Sequence, residues 1–123
     1  MVTRSLVSVV DDDESVRESL PDLLREFGFD VQTFASAEEF LASAFQDQTQ
    51  CLLLDISMPG MTGPELQREL ARQRRPIPIV FITANADDSI RPQVLAAGAV
   101  GLLFKPFTES ALLEAVSTAL RAA

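Results

Sequence analysis

The chain is expected to fold as an α/β domain of the doubly wound type, a five-stranded parallel sheet with five helices packed on its two faces, three layers in all. Three observations carry that expectation. First, Val7-Ser8-Val9-Val10, Cys51-Leu52-Leu53-Leu54, Ile79-Val80-Phe81-Ile82 and Val100-Gly101-Leu102-Leu103-Phe104 are short and nearly continuous in apolar residues, the pattern of strands buried on both faces. Second, helix-length segments separate the runs, so strand and helix alternate along the chain. Third, each run stops at a polar residue: Asp11-Asp12-Asp13, Asp55, Thr83 and Lys105-Pro106. An open parallel sheet lines its strand ends along one carboxyl edge, where ligands bind.

The elements follow in order. The first strand covers about Leu6 to Val10. Ser15-Val16-Arg17-Glu18 has the form of a capping box, and Val16, Leu20, Leu23, Leu24 and Phe27 make the apolar stripe of the first helix. Gly28 is placed to end it. Pro21 falls past the first turn, removes a backbone donor and is expected to bend the helix without breaking it. The second strand is about Asp30 to Phe34. Ser36-Ala37-Glu38-Glu39 starts the second helix, with Phe40, Leu41 and Phe45 facing inward. The third strand ends at Asp55, and the turn-rich Ile56-Ser57-Met58-Pro59-Gly60-Met61-Thr62-Gly63 leads to Pro64, which opens the third helix. Asn85-Ala86-Asp87-Asp88-Ser89 reads as a loop after the fourth strand. Pro92 is tolerated in the first turn of the fourth helix and Gly98 closes it. Thr108 can cap a last helix through Leu112, Leu113, Val116 and Leu120.

Composition narrows the function. A length of 123 residues suits one domain over 1–123, and 47% hydrophobic with 23% charged residues is the balance of a globular chain. A net charge of −8 argues against a broad nucleic-acid surface, so no direct nucleic-acid contact is expected. The one cysteine, Cys51, lies inside an apolar run and reads as a core residue in a reducing cytoplasm. No apolar stretch approaches the roughly 20 residues that span a bilayer, and the N-terminus has no secretory pattern. A cytoplasmic protein without membrane contact is expected.

The strand ends carry the chemistry. Carboxylates within ~4 Å of one another repel by about 4 kcal/mol at an effective dielectric near 20. Asp11, Asp12 and Asp55 are therefore tolerable together only if a cation relieves them or some of them stay protonated, and Mg²⁺, a hard ion that takes oxygen ligands, is the natural cation. An acidic run is also an ordinary solvated helix start, which suits Asp13 and Glu14. Asp55 is harder to explain that way, because it ends a buried strand. A carboxylate there can attack phosphorus and form a mixed anhydride, given a metal and a nearby cation. Lys105 supplies the cation, and Pro106 can fix its loop through a cis peptide. The Thr83 hydroxyl, unremarkable alone, can bond a new phosphoryl oxygen and so bias a loop between two states.

These residues together resemble the response-regulator receiver domain of two-component signalling. The resemblance runs nearly the whole length and rests on Val9-Val10-Asp11-Asp12-Asp13-Glu14, Leu54-Asp55-Ile56-Ser57-Met58-Pro59-Gly60-Met61-Thr62-Gly63, Ile82-Thr83-Ala84 and Phe104-Lys105-Pro106-Phe107. Phe34-Ala35-Ser36-Ala37-Glu38-Glu39-Phe40-Leu41 and Gly98-Ala99-Val100 bring it nearer to receivers of the FixJ/NarL type. It implies a flavodoxin-like strand order 2-1-3-4-5. It further implies Asp55 as phosphoacceptor, with Asp11, Asp12, Asp55 and the backbone carbonyl of Ser57 holding Mg²⁺, and Asp12 ahead of Asp11 as a direct ligand. Lys105 would pair with the carboxylate or phosphoryl group, Thr83 would be the switch hydroxyl, and small Ala84 would leave the phosphoryl group room. Ser57 and Asn85 would tune hydrolysis. The phosphodonor would be a sensor histidine kinase or a histidine phosphotransfer protein, and phosphorylation would change the surface of the fourth helix, fifth strand and fifth helix. A homodimer or a transcriptional output through a DNA-binding domain outside this chain would follow. Two positions depart from the family: Leu102 stands at the conformational switch position where an aromatic residue is usual, and Pro21 lies in the first helix.

Two other readings compete. A Mg²⁺-dependent aspartyl phosphohydrolase would need a second aspartate two residues past the nucleophile, where this chain has Ser57. A receiver-like interaction module that is never phosphorylated would not need the acidic pair, Thr83 and Lys105. The favoured reading is a phosphorelay acceptor, not an enzyme beyond slow self-dephosphorylation.

Overall fold

The computed structural model describes residues 4–84 and 88–122. Five strands, β1 (Leu6–Val10), β2 (Asp30–Phe34), β3 (Thr49–Asp55), β4 (Ile79–Thr83) and β5 (Gly101–Phe104), form one parallel sheet in the order β2-β1-β3-β4-β5. Between and after them come α1 (Glu14–Glu26), α2 (Ala37–Ala42), α3 (Gly63–Arg72), α4 (Arg91–Ala96) and α5 (Glu109–Ala122). The order reverses between β1 and β3, so successive crossovers leave the sheet in opposite directions there. That reversal opens a crevice at the carboxyl ends of the two strands.

Side chains alternate across each strand, which splits the core in two. Leu52, Leu54, Phe81, Ile79 and Leu102 pack with Phe40, Leu66, Leu70 and Val94, under α2, α3 and α4. Val7, Val9, Cys51, Leu53 and Val80 pack with Leu20, Leu24, Leu112, Val116 and Ala119, under α1 and α5. β1, β3 and β4 carry no exposed apolar position, as expected of central strands covered on both faces. Cys51 is fully buried, and burial pushes its thiol up to about 12, so it stays a neutral core group.

The helix ends differ from expectation in instructive ways. Asp13, not Ser15, caps α1: its carboxylate accepts from the Ser15 backbone N–H at 3.0 Å and from the Ser15 hydroxyl at 2.7 Å. An anionic acceptor at the positive helix end outbids a neutral hydroxyl, and the helix starts earlier. α1 continues unbroken through Pro21, which is buried. Phe27, expected on the inner stripe, sits at the C-terminal cap and is 43% exposed. Gly28 follows with φ +91, the left-handed position glycine fills best. α2 stops at Ala42, so Phe45 reaches the core from a 3₁₀ turn entrance rather than from the helix. Thr62 caps α3 in a reciprocal box with Glu65, a signal overlooked beside Pro64. Asp88 and Ser89, expected as loop, form with Ile90 a 3₁₀ turn ahead of a six-residue α4. The buried Gln67 amide donates to the Val94 carbonyl at 3.2 Å and ties α3 to that short helix. The Thr108 hydroxyl accepts from the Ala111 N–H at 3.0 Å, as a cap of α5 should. Among the described residues no helix is long and apolar enough to cross a membrane.

Candidate functional site

Strand register assembles the site. Val10 lies opposite Leu54, so the next residue of each chain segment, Asp11 and Asp55, are neighbours at the carboxyl edge. Asp55 pairs with Ile82 and Thr83 with Phe104, which brings Thr83 and Lys105 to the same edge, where the Lys105 N–H donates to the Thr83 carbonyl at 2.8 Å. One carboxylate oxygen from each of Asp11, Asp12 and Asp55 lies within 4.8 Å of the others. Asp12 is exposed, Asp55 is 6% exposed and Asp11 fully buried. The peptide bond between Lys105 and Pro106 is cis.

Asp11 is held from every side. Its N–H donates to the Phe34 carbonyl at 3.1 Å, and its carbonyl accepts from the Arg17 guanidinium at 2.9 Å. Oδ1 accepts from the Asp13 N–H at 2.9 Å. Oδ2 lies 2.9 Å from the Lys105 ammonium, a buried ion pair. Lys105 thus takes Asp11 as its ion-pair partner, where Asp55 had been the expected one. Partial burial pulls the ammonium down, yet Asp11, Asp55 and Asp13 together hold it above the ordinary lysine value.

Asp55 shows the cost of the arrangement. Burial pushes its carboxyl up to about 7, with the negative charge of Asp11 acting in the same direction. Lys105 opposes them, and hydrogen bonding with Asp12 and Asp11 favours the protonated form. A site that presents three hard oxygens and disfavours their joint ionisation fits a divalent cation.

The other expected residues are distributed as follows. Thr83, at the end of β4, is buried, and Ala84 beyond it is exposed. Ser57 is exposed in the turn after β3. Leu102 is 7% exposed and packs into the core under α2, α3 and α4. Asn85 lies outside the described residues.

Two contributors escaped the sequence reading. Arg17 was seen only as a helix residue, whereas its bond to the Asp11 carbonyl braces the loop that carries the acidic pair. Gly63 opens α3 against the Asp55 backbone: a Cβ there would meet the Asp55 carbonyl oxygen at 2.2 Å and Phe81 Cε1 at 3.0 Å. Its N–H donates to the Ile56 carbonyl at 3.0 Å, closing the loop that leaves Asp55. No period or charge pattern marks a glycine needed for close approach alone.

Comparison with known proteins agrees with this geometry. Residues 7–117 match the family model described as response regulator receiver domain. Nodulation protein W of Bradyrhizobium diazoefficiens is 45% identical over 117 residues, 95% of this chain and 52% of that protein. Transcriptional regulatory protein FixJ of Rhizobium meliloti is 39% identical over 118 residues, 96% of this chain and 58% of that protein. The structure of the response regulator StyR superposes with a TM-score of 0.90 at 48% identity, covering 98% of this chain and 61% of that one. The chain spans about half the length of the curated relatives it matches. With the strand order, the acidic edge and the family match all in agreement, this chain belongs to the response regulator receiver domains of two-component signalling.

Proposed function

We propose that Asp55 of this receiver domain is the phosphoacceptor, taking its phosphoryl group from the phosphohistidine of a sensor histidine kinase or a histidine phosphotransfer protein. Histidine kinases phosphorylate receiver domains as a family, and the 123 residues contain no histidine of their own. The observation that carries the reading is the meeting of Asp11, Asp12 and Asp55 within 4.8 Å, beside Lys105. In the transfer, a carboxylate oxygen of Asp55 bonds to phosphorus while the phosphorus–nitrogen bond of the donor breaks. The leaving imidazole keeps the electron pair and takes a proton from water.

Asp11, Asp12, Asp55 and the Ser57 carbonyl would hold Mg²⁺. When bound, the ion supplies positive charge against the carboxylates and the phosphoryl oxygens. The residues do the rest. Lys105, 2.9 Å from Asp11 and already attracting the Asp55 carboxylate, would share its ammonium with a phosphoryl oxygen on Asp55. The Thr83 hydroxyl then bonds another phosphoryl oxygen, and exposed Ala84 leaves space for it. Movement of the Thr83 loop is relayed to α4 and to Leu102, altering the α4-β5-α5 surface. Leu95 on α4 is 39% exposed, and Arg91 stacks over the Phe104 ring at 5.6 Å, so that surface already offers apolar and cationic groups. The output is transcriptional control, in line with the similarity to the transcriptional regulatory protein FixJ, with homodimer formation on phosphorylation. Ser57 and Asn85 set a slow self-dephosphorylation, and the domain works in the cytoplasm.

The test is incubation with Mg²⁺ and acetyl phosphate, read by intact mass. Wild type is expected to gain one acid-labile phosphoryl group that Asp55→Asn does not. Equal labelling of Asp55→Asn, or catalytic turnover of p-nitrophenyl phosphate, would overturn the reading.

A further inference from the structure

We propose that Glu38, on α2 and outside the acidic site, is a positioning residue for the metal-binding loop. The inference rests on the proposed Mg²⁺ site and adds a residue to its support. Glu38 Oε2 accepts from the Met61 backbone N–H at 3.1 Å, a bond that spans 23 residues and joins α2 to the segment after Asp55. A second observation concerns the backbone. Gly60, the residue before Met61, has φ +73, and a Cβ at that position would lie 2.7 Å from the same Glu38 oxygen. The turn therefore curls its bare backbone around the Glu38 carboxylate. The missing side chain makes room for it, and the left-handed φ suits glycine.

The loop needs such an anchor. Ile56 through Thr62 leaves β3 at the metal site, and Ser57, whose carbonyl is the proposed ligand, is exposed. The loop is pinned at its two ends. The Ile56 N–H donates to the Ile82 carbonyl at 3.2 Å, and the Gly63 N–H to the Ile56 carbonyl at 3.0 Å. Within the loop Met58 is buried in the core and the Thr62 N–H donates to Glu65 at 2.9 Å; Glu38 adds an attachment from the neighbouring helix, at Met61 close to the α3 end. α2 is itself fixed, by Ser36 at its N-cap and by Phe40 and Ala37 buried in the core. An ionised acceptor on a backbone N–H makes a charge-assisted bond, stronger than a neutral one. Glu38 touches neither the carboxylate cluster nor the reacting atoms. It acts by holding the loop, in the way that supporting groups orient metal ligands.

The experiment compares wild type, Glu38→Ala, Glu38→Gln and Gly60→Ala, with Mg²⁺ alone as probe. Amide chemical shifts give the Mg²⁺ Kd, hydrogen exchange of the Met61 amide reports the bond in metal-free protein, and acetyl phosphate labelling gives the rate at saturating Mg²⁺. Glu38→Ala is expected to raise the Mg²⁺ Kd roughly three- to tenfold and to deprotect the Met61 amide. Its labelling rate at saturating Mg²⁺ should stay within about twofold of wild type, since a net bond of this size acts on loop placement and not on the chemistry. Glu38→Gln keeps an acceptor oxygen but makes a weaker, neutral bond and should fall between wild type and Glu38→Ala, while Gly60→Ala should follow Glu38→Ala. An unchanged Mg²⁺ Kd in Glu38→Ala overturns the inference. So do equal losses in the Ala and Gln variants, which would make Glu38 a charge and not an anchor. Failure of wild type to bind Mg²⁺ would instead sink the metal site itself, and Glu38's role with it.

Discussion

At the scale of single residues, Asp55 holds the tension in the structure. A carboxyl that titrates at 3.8 in the open chain is pushed up to about 7 in the folded one by burial and by Asp11. In the metal-free protein the folded state therefore binds the extra proton between those values. Stability from this group is complete below about pH 4 and is lost as pH rises through 7. At ~1.4 kcal/mol per pH unit, the rise from 3.8 to about 7 sets a ceiling near 4 kcal/mol. Urea unfolding in chelator is expected to show wild type losing on the order of 2–4 kcal/mol relative to Asp55→Asn between pH 4 and 8. Parallel pH profiles for the two proteins would refute the buried, mutually repelling cluster.

At the scale of elements, the start of α3 shows which local rule wins. In an open helix, replacing glycine by alanine gains up to about 1 kcal/mol. Gly63, however, leads α3 against the Asp55 carbonyl, and a Cβ 2.2 Å from a backbone oxygen forces the strand end or the helix to move. Overpacking of that kind costs about 1–3 kcal/mol, and here the obstacle is backbone on one side and the fully buried Phe81 on the other. Gly63→Ala is expected to lower the unfolding free energy by about 2 kcal/mol in a denaturant titration, the clash outweighing the helix gain. An increase in stability would show that the contact is not tight. The same end of α3 is set by Thr62 and Glu65 in their reciprocal cap, so the helix is fixed at the site while its middle contacts α4 through Gln67.

At the scale of the molecule, two hydrophobic layers hold a sheet whose one polar edge is under electrostatic load. Stability and function meet there, because anything that binds the acidic edge of the folded state and not the open chain must raise stability. Mg²⁺ at 100 times its Kd should add about 2.7 kcal/mol at neutral pH, read as a rise in Tm. Asp12→Asn, a change at an exposed position, should lose most of that rise while keeping the metal-free Tm near or above the wild-type value. A Tm indifferent to Mg²⁺ in wild type would argue that the cluster is only tolerated.

Much of this protein could be read before any coordinates. Apolar runs of strand length, divided by amphipathic segments, give β1, β3, β4 and β5 in place to within a residue or two, because inner strands are apolar on both faces; the edge strand β2 has no such run and followed from the alternation of elements. Asp11, Asp12, Asp55, Thr83 and Lys105 stood out for the same reason in reverse: a charge or hydroxyl closing such a run has no packing role there. The helix ends were less legible. Ser15 and Asp13 both satisfy a capping rule, and only the competition between them in three dimensions chose the aspartate. Wholly tertiary are the pairing of Lys105 with Asp11, the Arg17 brace, the clearance at Gly63 and the Glu38 latch. The Lys105 and Glu38 contacts join residues far apart in the chain, the Gly63 clearance depends on gaps of a few tenths of an ångström, and the Arg17 brace depends on how the loop before α1 turns. Periodicity records which face of an element is buried; it carries no record of what lies opposite, and contacts across the fold are decided by that.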